Sequence, residues 1–98
     1  MVKRVIWTQT AKDSYRDVIF YYINNDAKQA AIKFEVAVLK RIDRLIEQPL
    51  IGRPSRKYKT VRLIKVDNYR QMTYRVHGNT LFISDFWDTR RNPDQRPY

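Results

Sequence analysis

At Pro49 the spacing of apolar residues changes its period, and no other feature of the chain constrains the fold as much. Ahead of it, Ala27, Ala31, Phe34, Val38, Ile42, Leu45 and Ile46 recur at helical spacing. Lys28, Lys33, Glu35, Lys40, Arg41, Asp43 and Arg44 occupy the rest of that circumference, as an amphipathic helix requires. Behind it lies the loop 49–60, with two prolines, Gly52, four basic residues and no acid. From Val61 onward the period is two, the period of a strand. A helical half is therefore followed by a strand half.

The remaining elements follow from local signals. Lys3–Trp7 reads as a short strand rich in β-branched and aromatic residues. Thr10 is the expected N-cap of a first helix, with Asp13 near its positive end. Ala11, Tyr15, Val18, Ile19 and Tyr22 give that helix its apolar stripe. Asn24-Asn25-Asp26 breaks it, and Asp26 is the expected cap of the second helix, with Gln29 at the capping-box position. Pro49 ends the second helix. Strands are expected over 61–66, 69–76 and 80–87, the last two joined by a tight turn at His77-Gly78-Asn79. From Thr89 the chain is polar and proline-bearing, and is expected to fray.

The order is β-α-α-β-β-β, an α+β architecture in which a helical hairpin packs on one face of a small antiparallel sheet. A chain of 98 residues has room for one domain, 1–98. Along the middle strand, Arg70, Met72, Tyr74 and Val76 share one face. Tyr69, Gln71, Thr73 and Arg75 share the other, the candidate open face.

Charge narrows the function. The formal net charge is +10. Residues 1–48 contribute +3 and residues 49–98 contribute +7. So concentrated an excess implies a polyanionic partner: nucleic acid, an acidic protein or an anionic membrane. The apolar run Val5–Trp7 is too short for a signal peptide or a membrane span, so the expected location is cytoplasmic and no membrane partner is expected. There is no cysteine, which removes disulfides, a thiolate nucleophile and zinc-thiolate chemistry. The single histidine, His77, falls in a turn. No clustered histidines or carboxylates suggest a metal, no glycine opens a helix to cradle phosphate, and no cofactor is expected. Ser14, Ser55 and Ser84 carry no hydrolase motif.

What remains is arginine, lysine and tyrosine. The loop supplies Arg53, Arg56, Lys57, Tyr58 and Lys59; the strands supply Arg62, Lys65, Tyr69, Arg70, Tyr74 and Arg75; the tail supplies Arg90, Arg91, Arg96 and Tyr98. Basic residues interleaved with aromatics suit a nucleic-acid backbone with stacked bases. The same set can support RNA cleavage, with arginine stabilising the transferring phosphate and tyrosine or lysine moving a proton. The plainer alternative is tyrosines packed on the sheet and solvated basic side chains. In the last strand's FWDTRRNP stretch, residues 86–93, Phe86 is expected inward and Trp87 toward the cleft. Asp88 is positioned to pair with Arg90 or Arg91.

Four local patterns resemble the RelE/ParE superfamily of toxins from type II toxin–antitoxin systems. They are Trp7-Thr8-x-x-Ala11, Ile46-x-x-Pro49-x-x-Gly52-Arg53-Pro54, Tyr74-Arg75-Val76 before a Gly-Asn turn, and Arg91-Asn92-Pro93. The resemblance implies a growth-inhibiting toxin neutralised by a cognate antitoxin. RelE-like members cleave mRNA on the ribosome, which would make Arg62, Lys65, Arg91 and Tyr98 catalytic. ParE-like members poison DNA gyrase and are not thought to be nucleases. Arg53, Arg56, Lys57, Arg70, Arg75, Trp87 and Arg90 would then contact the target or nucleic acid. The loop motif and the Arg-Asn-Pro close resemble the ParE branch more. A non-toxic basic binding module is the third reading.

Overall fold

The computed structural model describes residues 2–90. Strand β1 (Arg4–Trp7) leads into helices α1 (Gln9–Asn24) and α2 (Lys28–Glu47). Strands β2 (Arg53–Pro54), β3 (Arg62–Lys65), β4 (Arg70–His77) and β5 (Thr80–Asp88) follow. They form one sheet in the order β1-β5-β4-β3-β2. No helix among the described residues is long and apolar enough to cross a membrane.

The helical hairpin and the strands expected over 61–66, 69–76 and 80–87 are present, as β3, β4 and β5, but the sheet is mixed rather than antiparallel. β1 runs parallel to β5, with Val5 opposite Leu81 and Trp7 opposite Ile83. The helical hairpin carries the chain away from β1, and the last strand returns into the sheet's interior beside it. Alternation specifies which residues share a face and is silent on which strand is the neighbour. β2 lies in what reads as a loop. It is only two residues long and contains Pro54, a residue confined to sheet edges because it donates no ladder hydrogen bond.

Both expected helix caps differ. Thr8, not Thr10, caps α1: its backbone is extended and its Oγ1 accepts from the Ala11 N–H at 3.1 Å. The same hydroxyl donates to the Ser84 carbonyl at 2.9 Å, so the cap that starts the helix also ties it to β5. Asp26 caps nothing. It takes φ 54°, a left-handed conformation that Asp tolerates, and the Ala27 N–H turns back to the Tyr22 carbonyl at 2.8 Å. Asp26 thus closes α1, while α2 starts at Ala27 without a side-chain cap.

The core lies between the helices and the sheet. Phe34, Val38, Ile42 and Leu45 of α2 and Ala11 of α1 are buried with Met72, Tyr74, Leu81, Ile83 and Phe86. Tyr74 faces Ile83 and Thr73 faces Asp85, leaving Ser84 as one extra residue in β5. That bulge lets Ile83 and Phe86, three residues apart, both face the helices. Phe86 is inward as expected and packs among Trp7, Tyr15 and Phe34 at ring distances of 5.4, 5.7 and 6.0 Å.

Candidate functional site

The conspicuous loop motif has a structural origin in β4. The Tyr74 phenol, fully buried, accepts from the Gly52 N–H at 2.9 Å and donates to the Pro49 carbonyl at 2.8 Å. Burial pushes this phenol above its ordinary range, against the opposing pull of the Gly52 N–H and Arg62. A Cβ at position 52 would run into the Tyr74 ring and hydroxyl and come within 2.9 Å of the Leu63 carbonyl. Gly52 is therefore required for close approach, not for an unusual backbone angle. Arg62 completes the anchor: its Nη1 donates to the Gly52 carbonyl at 2.7 Å and the Leu50 carbonyl at 3.2 Å. No local pattern signals this anchor, because its partners are 22 and 25 residues apart.

Of the four candidate catalytic residues, the two described ones, Arg62 and Lys65, are not brought together. Arg62 faces Tyr74 across the ladder, whereas Lys65 faces Gln71 on the opposite side of the same strand. Arg62 serves the loop, and the Lys65 side chain is exposed. Arg91 and Tyr98 lie outside the described residues.

Five other candidates are on the helix-free face or the turn beside it. Arg53 faces Leu63, and Arg75 faces Phe82; both arginines are exposed. The Arg75 guanidinium lies 5.2 Å from the centre of the Phe82 ring. It borders two shallow hollows of about 320 and 240 Å³, with Thr60 and His77 in one and Thr8, Thr10 and Ser84 in the other. Arg56 and Lys57 are exposed on the turn after β2, where Ser55 Oγ accepts from the backbone N–H groups of Lys57 and Tyr58. Trp87 faces Gln71 on the helix-free face, as expected, but is only 7% exposed. Arg4 adds a cation that motif reading passes over. Its signal was the alternation of β1, since Val5 and Trp7 pack on the core and Arg4 must point the other way.

Arg70 and Arg90 belong to a different site, a cavity of about 400 Å³ at the junction of α1 with the ends of β4 and β5. Ser14, Asp17, Tyr21 and Asp88 share its wall. Arg70 is only 5% exposed. Its Nη1 donates to the Tyr22 hydroxyl at 2.6 Å and approaches Asp67 at 3.8 Å. The guanidinium also lies against the rings of Tyr22 and Phe34, at 5.0 and 5.6 Å. This buried cation is held by its own neighbours. Asp88 grips Arg90; Arg91, the other expected partner, lies outside the described residues. Its carboxylate accepts from Arg90 Nε at 3.1 Å, Nη2 at 2.8 Å and the backbone N–H at 2.9 Å. The side-chain bonds to Arg90, strongest among the causes, hold the Asp88 carboxyl down to about 2 against the opposing effect of burial. Arg90 also covers the Tyr69 ring at 4.5 Å.

The fold has counterparts among solved structures. A chain from "Chromosomal ParDE TA system from P. aeruginosa" superposes with a TM-score of 0.72 and 19% identity, covering 89% of this chain and 96% of its own. A chain from "YoeB/ParE toxin from Agrobacterium tumefaciens" gives 0.67 and 16%, covering 88% and 98%. At such identities the likeness establishes the fold. No curated protein matches the sequence. The family model for the ParE toxin of the type II toxin–antitoxin system parDE matches residues 5–93, nearly the whole chain, and the chain belongs to that family of toxins.

Proposed function

We propose that this ParE-family toxin arrests growth by acting on DNA gyrase and not by cutting mRNA. The family implies a cognate antitoxin that holds it inactive. The observation that carries the gyrase reading is the divergence of Arg62 and Lys65. A phosphodiester-cleaving site needs its cation and its proton-transfer group aimed at one phosphate. Here one of the two is bonded to the Leu50 and Gly52 carbonyls, and the other leaves the opposite face of β3. A binding toxin needs no such convergence.

The test is pulse labelling after induction of the toxin alone, with thymidine and amino-acid incorporation followed in parallel. A supercoiling assay with purified gyrase accompanies it. Thymidine incorporation should fall first, and the purified toxin should inhibit supercoiling. Early loss of amino-acid incorporation with gyrase unaffected would refute the reading in favour of the ribonuclease. Unimpaired growth would leave the non-toxic binding module.

A further inference from the structure

The charge of this chain is divided between its two layers. The helical hairpin, residues 9–47, is nearly neutral at net +1. The other described residues, 2–8 and 48–90, sum to +8. On the helix-free side of the sheet, register aligns Arg4 with Thr80 and His77, Arg75 with Phe82 and Ile6, Arg53 with Leu63, and Lys65 with Gln71. All four cations are exposed, and none belongs to an ion pair among the described residues. The acid on this face, Asp85, is 8% exposed and accepts from the Phe86 N–H.

We propose that the helix-free sheet face, through Arg4, Arg53, Lys65 and Arg75, binds the phosphate backbone of duplex DNA. The inference rests on the gyrase reading for the source of that duplex, the DNA that gyrase holds. Five strands give the face a width of about 19 Å, over which a duplex presents about 11 phosphate charges. The aromatic rings decide between duplex and single strand. Sequence-tolerant binding of single strands needs open rings for stacking. Here Phe82 lies under the Arg75 guanidinium and Trp87 is 7% exposed. No helix among the described residues projects from this side to enter a groove and read bases. The contact is therefore with phosphate, independent of sequence and steeply dependent on salt.

The experiment is fluorescence anisotropy of the purified chain with a labelled 20-base-pair duplex of arbitrary sequence, from 50 to 200 mM KCl. Four phosphate contacts predict a log–log salt slope of about −3.6, so affinity should fall roughly 150-fold over that range. The Arg53→Glu/Arg75→Glu variant should lose about two units of slope. Arg4→Glu/Lys65→Glu serves as a second variant, with thermal melts to verify folding. Lys33→Glu/Lys40→Glu on α2 makes the same change in net charge and should leave the slope intact. The proposal is overturned if the duplex does not bind at 50 mM salt, or if the α2 variant loses as much slope as the sheet variants. Tighter binding of a single strand or of polyglutamate of matched length overturns it as well. Because binding is read without gyrase, a chain that binds the duplex but leaves supercoiling untouched defeats the gyrase reading alone.

Discussion

Replacing Tyr74 by phenylalanine removes one oxygen atom and tests how the loop 49–54 is held. The ring stays in place, so packing changes little. The Gly52 N–H loses its acceptor and the Pro49 carbonyl loses its donor. Gly52 is buried, so its orphaned N–H carries a desolvation cost of about 1–3 kcal/mol. The Pro49 carbonyl, half-buried, adds about 0.5–1 kcal/mol for a lost net hydrogen bond. The sum is about 1.5–4 kcal/mol, a large part of the 5–15 kcal/mol typical of a domain. For a chain of this length it corresponds to a fall in Tm of about 6–30 °C.

Urea denaturation is the assay, because an unchanged m-value would show that stability and not denatured-state compactness has altered. Gly52→Ala attacks the same contact from the other side, by pressing a methyl group into the Tyr74 ring and hydroxyl. The two substitutions should be non-additive, since removing the oxygen relieves part of the clash. A Tyr74→Phe loss below about 0.5 kcal/mol, within the range of ordinary surface changes, would refute the reasoning. So would strict additivity with Gly52→Ala.

Phe34→Ala, which empties a site 2% exposed beneath Tyr15, Phe86 and Arg70, should cost about 3–5 kcal/mol in the same assay. Thr8→Ala should cost about 1–2 kcal/mol by removing the α1 cap, whereas Thr10→Ala should change stability little; equal losses would contradict the placement of the cap. Asp88 is held from 3.8 down to about 2 in the folded chain, so its contribution is full above pH 4 and is lost as pH falls through 2. Asp88→Asn should flatten the stability curve across that window. Burial raises the Tyr74 phenol, so its contribution is full below pH 10 and is lost as pH rises through the folded value; Tyr74→Phe should blunt that alkaline fall.

The helical hairpin and the β4–β5 hairpin were legible because each rests on a period or a turn confined to a few neighbouring residues. Phe34, Val38, Ile42 and Leu45 announce a buried helix face, and Gly78, at φ 60°, announces the turn. What could not be read depends on partners distant in the chain. Thr8 wins over Thr10 as a cap because Ser84 is within reach of its hydroxyl, 76 residues later. The parallel neighbour of β1 is likewise a property of how the layers close, invisible to alternation within any one strand.

The same limit explains why a count of cations overstates the surface that can meet a target. Arg62, Lys65, Arg70, Arg75 and Arg90 look equivalent in the sequence, each on or beside a strand of the basic half. The structure sorts them by what lies across the ladder. Arg62 meets two loop carbonyls, Arg70 two aromatic rings and a phenol, and Arg90 a carboxylate. Their charges are largely answered within the molecule, and removing any of them would disturb the fold or its rim along with any contact to a partner. Lys65 and Arg75 have no acid among the described residues to answer them. Loss of function at those two positions, with folding intact, is therefore the observation that bears most directly on recognition.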